Sequence, residues 1–315
     1  MINKNQILQN SRQLGTLIGL FIVILIFWLL SPYFFSTSNL VNILLQSSIN
    51  AIIAVGMTYV IITAGIDLSV GSIMAFSAVI LASAMQSGIG VPIAILISLI
   101  VGTLCGLSNG LLISYGKLPP FIATLGMMSI ARGAALLVTQ GKPISGFSPE
   151  FRFLATGEIL SIPFPVILMI IIYIAAHIIL KKTLLGRYTY AIGGNEEASH
   201  LSGINTKIIK TTVYGISGLL SGFAGVILTA RLNSAQPIAG IMYELDAIAA
   251  VVIGGTSLLG GEGKISGTLI GALIMGVLRN GLNLLGVSSF VQQIVIGVVI
   301  IIAVLVDMIL KKRKK

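Results

Sequence analysis

Ten apolar segments dominate this chain, and most of them are long enough to cross a lipid bilayer as α-helices. A spanning helix needs about 20 consecutive, mostly apolar residues. The segments cover approximately residues 14–34, 49–66, 69–87, 91–113, 121–140, 163–180, 211–230, 246–260, 265–285 and 289–310. No polar stretch between them is long enough to bury a core of its own. The sequence therefore predicts an all-α polytopic membrane protein with one transmembrane domain over residues 1–315.

The low content of charged residues excludes a soluble globular protein. Only 9% of the residues are charged, against about 25% in a soluble domain. The formal net charge of +10 could indicate a nucleic-acid partner, but the five basic residues 311–315 directly follow an apolar segment. Such a tail is typical of the cytoplasmic flank of a membrane helix. We therefore predict contact with the lipid bilayer and none with nucleic acid.

The distribution of lysine and arginine predicts the orientation of the chain. With ten spans and a cytoplasmic N-terminus, the outer connections hold only Lys142, Arg152 and Arg231. The inner connections and tails hold 14 of the 19 basic residues: Lys4, Arg12, Lys117, Lys181, Lys182, Arg187, Lys207, Lys210, Lys264 and residues 311–315. Because cytoplasmic loops carry an excess of Lys and Arg, both termini are predicted to be cytoplasmic.

Two connections are long, the outer residues 141–162 and the inner residues 181–210. The outer segment 35–48 has apolar residues at helical spacing, and Thr37 or Ser38 could serve as its N-cap. For this segment we predict a short separate helix that lies in the outer interface of the bilayer.

Small residues recur every four positions in several of the apolar segments. This spacing is typical of membrane helices whose backbones are in close contact. The glycines concerned are Gly102, Gly106, Gly110, Gly218, Gly222, Gly263, Gly267 and Gly271. They predict helix packing faces and specify no function.

Weak internal symmetry relates spans 2–5 to spans 7–10, which start from opposite sides of the membrane. Asp67 precedes span 3, and Asp246 opens span 8. Inverted repeats of this kind build many transporters, and we predict one here. Each aspartate is interpreted as a structural cap that interacts with the helix dipole, rather than as an ion ligand.

No motif for catalysis, for a metal or for a cofactor is recognisable. The nearest resemblance to a phosphate-binding loop, at Gly263-Lys264, fails because Leu258 occupies the first glycine position and Ile265 the hydroxyl position. The two histidines lack metal-ligand spacing. We therefore predict no catalytic residue, no metal, no cofactor and no ATP hydrolysis by the chain alone.

Arg132 and Arg279 are the basic residues within spans. A charge at the centre of a span costs about 2.5–3.5 kcal/mol on insertion scales. Each side chain either reaches the interface or a carbonyl oxygen, or lines a polar path. The candidates for lining such a path are Thr58, Asn109, Arg132 and Asn280.

Residues 193–203 are the most informative part of the inner connection. Gly193-Gly194-Asn195 predicts a turn and an N-cap, and the following acidic residues suit the first turn of a helix. We interpret this short helix, which a glycine closes, as a cytoplasmic docking element. The alternative is a solvated connector. The residues assigned to the element are Gly193, Gly194, Asn195, Glu196, Glu197, Ala198, Leu201, Ser202 and Gly203.

Several blocks of the sequence carry a resemblance to a known family. They are Ala54 to Thr58, Gly65 to Ser72, the inner segment above, Ala230 to Pro237, Tyr243 to Ala250, and Gly254 through Ser289. In these blocks the chain resembles the membrane permeases of bacterial sugar importers that are driven by ATP-binding cassettes. The resemblance covers roughly residues 14–310.

The resemblance implies a permease domain over residues 1–315 in the bacterial cytoplasmic (inner) membrane. Two copies would form a translocation path, with cytoplasmic ATP-binding subunits below and a periplasmic or extracellular sugar-binding protein above. Residues 193–203 would couple the ATPase to the spans. The implied substrate is a monosaccharide, D-ribose. Another pentose, a hexose or a nucleoside is an alternative within the same family, and a secondary sugar carrier is an alternative outside it.

Overall fold

The structure, a computed structural model, describes the backbone of residues 4–312 and the side chains of residues 14–305, 308 and 309. The predicted basic tail at 311–315 therefore lies outside the described side chains. Over residues 4–312 most of the chain is helical, with four strands of two residues each. The predicted all-α architecture is confirmed.

Thirteen helices form within the described residues. They are α1 (Lys4–Leu30), α2 (Thr37–Ile62), α3 (Val70–Gln86), α4 (Val91–Ser114), α5 (Pro120–Thr139), α6 (Pro149–Thr156), α7 (Phe164–Lys182), α8 (Leu184–Gly194), α9 (Glu196–Leu201), α10 (Thr206–Leu232), α11 (Tyr243–Ile253), α12 (Ile265–Leu284) and α13 (Ser289–Lys312). The strands are β1 (Ile144–Ser145), β2 (Glu158–Ile159), β3 (Ile162–Pro163) and β4 (Ser234–Ala235).

Each of the ten predicted spans overlaps one of these helices. Six of the helices, α2, α4, α5, α7, α10 and α12, are long and apolar enough to cross a membrane. Shorter apolar stretches lie in α1, α3 and α13, and α11 has only 11 residues. The number of complete spans therefore stays a prediction.

The predicted separate helix at 35–48 is wrong, because α2 runs without a break from Thr37 to Ile62. Its N-cap is Ser36, whose side chain accepts a hydrogen bond from the backbone N–H of Asn39. Asn39, Ile43 and Ser47 are buried at helical spacing. The stripe formed by Asn39, Ile43 and Ser47 faces other helices. This side of the segment therefore packs against the bundle instead of facing the outer interface of the bilayer.

The connections between helices contact one another in two separate sets. Strand β1 pairs with β4, and the N–H of Phe147 donates to Oδ1 of Asn233 at 3.0 Å. On the other side, the Lys207 ammonium lies 5.2 Å from the ring centroid of Tyr115. The first set contains only connections predicted to be outer, and the second contains only those predicted to be inner.

The glycine ladders pack helix against helix as predicted, except at Gly263, which lies in the connection before α12. A Cβ added at Gly102 would lie 2.6 Å from the carbonyl oxygen of Gly218, and one at Gly106 would lie 2.2 Å from that of Tyr214. A Cβ at Gly271 would lie 1.9 Å from the carbonyl oxygen of Ala250. The backbones of α4 and α10, and of α12 and α11, are therefore in direct contact.

The pattern of helix contacts supports the predicted internal repeat. We match α2–α5 in order with α10–α13. The contact of α10 with α4 then corresponds to that of α2 with α12, and the contact of α10 with α3 corresponds to that of α2 with α11. Helix α3 also contacts α4 and α5, as α11 contacts α12 and α13. Exchanging α2–α5 with α10–α13 therefore preserves these contacts, as a two-fold relation between the two halves requires.

We expect Gly106→Ala to destabilise the protein by about 1–3 kcal/mol, because the new methyl group would collide with a main-chain carbonyl that cannot rotate away. Gly126→Ala is the matched control, since a Cβ on that glycine of α5 meets no atom within 4 Å. Thermal unfolding in one detergent measures both. Equal melting temperatures for the two variants would contradict the packing described here.

Candidate functional site: two short helices that begin inside the bundle

Helices α3 and α11 are shorter than the hydrocarbon core of a bilayer is thick. They have 17 and 11 residues, which at about 1.5 Å per residue gives lengths of about 26 and 17 Å. The hydrocarbon core is about 30 Å thick. A span built on either helix must therefore include part of a neighbouring connection, which then requires internal hydrogen-bond partners.

The connection before α3 carries a completely buried carboxylate. Asp67 accepts hydrogen bonds from the N–H of Ser69 at 3.0 Å, from the Ser69 hydroxyl at 2.5 Å, and from the Ser217 hydroxyl at 2.8 Å. Ser217 lies 11 residues after the start of α10, and thus about 17 Å along that helix. The first connection therefore reaches the interior of the bundle.

The interpretation of Asp67 as a helix cap needs correction. The N-cap of α3 is Ser69, and its side chain makes no capping hydrogen bond. The Asp67 carboxylate instead closes the turn in front of the helix and fastens it to α10. Asp67 lies two residues before the N-cap Ser69. From there its carboxylate can bond the N–H of Ser69 but lies outside the first turn of α3.

The connection before α11 is held by Arg132. Its Nη1 donates to the carbonyl oxygens of Pro237 at 2.6 Å and of Ala239 at 2.7 Å. Arg132 lies seven residues before the end of α5, and thus about 11 Å from that end. The arginine pairs with carbonyl oxygens, one of the two alternatives drawn from the sequence, and the second connection also descends into the bundle.

The two connections meet. A Cβ added at Gly71, at the start of α3, would lie 2.1 Å from the carbonyl oxygen of Gly240, which has φ +73° and precedes α11. The N-termini of α3 and α11 therefore approach each other within the domain. Each carries a partial positive charge. The carboxylates of Asp67, Glu244 and Asp246 at these ends offset the repulsion between the two dipoles.

Asp246 forms an ion pair with Arg279. Its Oδ2 lies 2.6 Å from Nη2 of the arginine, and 3% of the Asp246 side chain and 31% of the Arg279 side chain are exposed. The cap prediction for Asp246 needs correction, because the N-cap of α11 is Met242 and the helix starts at Tyr243. Asp246 is the fourth helical residue, from which its side chain reaches α12.

Three of the four path-lining candidates lie in helix contacts rather than on an open surface. The hydroxyl of Thr58 is 2.7 Å from that of Thr268. The Asn109 amide donates to the Ser69 hydroxyl at 2.8 Å. The Asn280 amide donates to Oδ1 of Asn39 at 2.9 Å. Polar side chains between membrane helices commonly hold them together in this way. The fourth candidate, Arg132, is half-buried and lies against the connection before α11.

Helix α9 begins where the sequence predicts. Oδ1 of Asn195 accepts the N–H of Ala198 at 2.9 Å, and Glu196 and Glu197 occupy the first turn. Glu196 also pairs with Lys210 of α10 at 3.0 Å. The predicted turn at Gly193-Gly194 is wrong, since both residues complete the last turn of α8. One extended residue, the N-cap itself, is enough to separate the two helices.

The remaining residues of the predicted docking element face outwards. Ala198 and Ser202 are exposed, and 81% of the Leu201 side chain is accessible. Gly203 has φ +85°, a left-handed conformation that suits glycine after a helix end. Helix α9 thus presents a surface that no other described part of the chain covers.

Helix α8 fastens this element to the bundle. A Cβ at Gly193 would lie 1.7 Å from the carbonyl oxygen of Ile62, which also accepts the N–H of Gly261 at 2.9 Å. The Tyr190 hydroxyl donates to the carbonyl oxygen of Gly263 at 2.6 Å. Burial raises the pKa of Tyr190 to about 12, so it stays a neutral donor at physiological pH. The element thus contacts the end of α2, directly before the first connection.

Comparisons with known proteins identify relatives that are membrane transport proteins. The chain matches the family described as branched-chain amino acid transport system / permease component over residues 39–304. It is 53% identical to the ribose import permease protein of Bacillus subtilis over 298 residues, which are 94% of this chain and 92% of that relative. It is 41% identical to the D-allose transport system permease protein of Escherichia coli K12 over 300 residues, covering 95% and 92%.

The ribose import permease protein of Escherichia coli K12 is also 53% identical, over 93% of this chain and 92% of the relative. No solved structure matches this chain. The long apolar helices and these matches define a multi-pass membrane transport subunit. The chain belongs to the branched-chain amino acid transport system / permease component family.

Proposed function

We propose that this chain is the membrane subunit of an ATP-binding-cassette importer that passes D-ribose into a bacterial cell. The observation that carries the proposal is the 53% identity to ribose import permeases along nearly the whole chain. The relative named for D-allose, at 41%, is less similar. Transfer of a different pentose, a hexose or a nucleoside is the alternative within the family.

The partners proposed for this subunit are a second copy of itself, one or two cytoplasmic ATP-binding subunits and a periplasmic or extracellular sugar-binding protein. The subunit lies in the bacterial cytoplasmic membrane with both termini in the cytoplasm. The contacts within the two sets of connections agree with the predicted grouping of the connections, and the excess of Lys and Arg in one set supports its assignment to the cytoplasm. A secondary carrier is the weaker alternative, because the buried carboxylates of Asp67 and Asp246 already bond Ser69, Ser217 and Arg279.

Mechanically, residues 193–203 bind the ATPase and transmit its movement. The exposed face of α9 meets the partner, while Gly193 rests against the carbonyl oxygen of Ile62. A displacement of α8 then moves the connection that carries Asp67, and with it the start of α3. Because α3 touches the start of α11 at Gly71 and Gly240, both halves of the subunit shift together. This coordination suits alternating access around the domain centre.

Labelling of single cysteines in intact cells tests the proposed orientation. In a Cys105→Ala background, we expect Leu160→Cys to react with a membrane-impermeant maleimide and Glu197→Cys to react only after lysis. Both positions are exposed, and in cells that lack the ATP-binding subunit the membrane alone limits access to the reagent. Reaction of Glu197→Cys in intact cells would contradict the orientation.

The isolated chain is expected to hydrolyse no ATP and to bind ribose only weakly, because the sugar-binding protein captures the substrate and the ATPase supplies the energy. ATPase assays and calorimetry on the purified chain measure the two properties, with the reconstituted complex as the positive control. Hydrolysis by the pure chain, or tight ribose binding to it, would contradict the proposal.

A further inference from the structure

A cavity of about 500 Å³ lies between the end of α7, helix α8 and the start of α12. It is lined by His177, Leu180, Lys181, Tyr190 and residues 261–266. Its volume falls within the roughly 300–1,000 Å³ of small-molecule sites. None of residues 193–203 lines it, so the cavity is separate from the proposed docking element.

The wall of this cavity is positively charged. Lys181 and Lys264 supply two ammonium groups, Glu262 supplies one carboxylate, and His177 adds a further polar side chain. Among the residues that the structure describes, neither lysine forms an ion pair. Two lysines that lack a carboxylate partner are available to a negatively charged ligand.

Beside the cavity, α7 presents an apolar, outward-facing surface. Ile170, Ile174 and Ile178 are 46%, 55% and 48% exposed. His177 and Lys181 follow on the same side of the helix, at spacings of three and four residues. A ligand that fits both parts has an anionic head and long apolar chains, and basic pockets between helices at the cytoplasmic side bind such lipids.

We propose that the cavity binds the headgroup of an anionic glycerophospholipid of the cytoplasmic leaflet. Lys181 and Lys264 contact the phosphate, and the acyl chains lie along the exposed isoleucines of α7. The assignment rests on the cytoplasmic orientation given under the proposed function. Because the hydrogen bond from Tyr190 to Gly263 forms one wall, the bound lipid stabilises the contact between α8 and the connection before α12.

Native mass spectrometry of the full chain, purified in detergent and titrated with phosphatidylglycerol or phosphatidylcholine, tests the proposal. We expect at least tenfold tighter retention of phosphatidylglycerol, and a loss of about 10- to 30-fold in Lys181→Gln/Lys264→Gln. Lys182→Gln/Arg187→Gln removes two exposed charges from the same side outside the cavity, and its loss should be at least about threefold smaller. If the double variant does not fold, Lys181→Gln alone should lose about fivefold.

Equal retention of the two lipids, or equal losses in the two double variants, would overturn the proposal. Displacement of phosphatidylglycerol by millimolar inorganic phosphate would also overturn it and assign the cavity to a free anion. The assay contains neither ribose nor partner subunits, so its outcome is independent of transport. The cysteine-labelling experiment tests the orientation separately.

Discussion

Gly193→Ala is expected to reduce ATP-driven ribose uptake about tenfold or more, whereas Gly194→Ala is expected to stay within about twofold of the unaltered protein. The two glycines are adjacent in the last turn of α8. A Cβ at Gly193 would lie 1.7 Å from the carbonyl oxygen of Ile62, while a Cβ at Gly194 meets no atom within 4 Å. Only the first substitution forces α8 away from α2.

The measurement separates binding of the ATPase from coupling. Each variant is reconstituted with the ATP-binding subunit and the sugar-binding protein, and ATP hydrolysis and ribose uptake are followed in the same vesicles. Because α9 and its exposed face are unaltered, we expect Gly193→Ala to retain hydrolysis while uptake falls. Equal uptake by the two glycine variants would mean that the contact with Ile62 transmits no movement, and the segment would then be a solvated connector.

Asp246→Asn is expected to destabilise the protein by about 2–3 kcal/mol, because it leaves the Arg279 guanidinium in the bundle without its carboxylate. The value lies below that of a fully buried pair, since 31% of the Arg279 side chain is exposed and partly screened. The variant should also transport poorly, because the pair holds α11 to α12 close to the point where the two short helices meet.

The double variant Asp246→Asn/Arg279→Gln is the informative companion. It removes both charges, so it should recover part of the stability that the single variant loses. Glu158→Gln, which neutralises an exposed carboxylate of the outer connection, is the control for charge removal and should change stability by less than about 0.5 kcal/mol. Thermal unfolding measures all three. Additive losses in the double variant would show that the two residues do not interact.

The helices and their close contacts could be predicted from the sequence because their causes are local. Apolar runs of sufficient length specify the membrane helices, and glycines four residues apart specify where two backbones can touch. The Asn195 cap is equally local, since its side chain bonds an N–H three residues away. The joined helix α2 was missed because the stripe that buries residues 39–47 becomes visible only when the partner helices are known.

The partners of the buried polar groups could not be predicted, because they are distant in the chain. Asp67 and Ser217 are 150 residues apart, and Thr58 and Thr268 are 210 residues apart. A hydroxyl within an apolar helix looks the same in the sequence whether it bonds its own helix or another one. The start of α11 before Asp246 was missed for a related reason, since the connection in front of it includes the left-handed Met242 and packs at Gly240 against Gly71, which is distant in the chain.

The most direct test of the proposed function is ribose uptake into sealed proteoliposomes that contain this chain. The cognate ATP-binding subunit is added on one face and the sugar-binding protein on the other, with and without ATP. We expect labelled ribose to accumulate only when ATP and both partners are present, and we expect that an imposed proton or sodium gradient does not replace ATP. Uptake by the chain alone in response to such a gradient would contradict the proposed function.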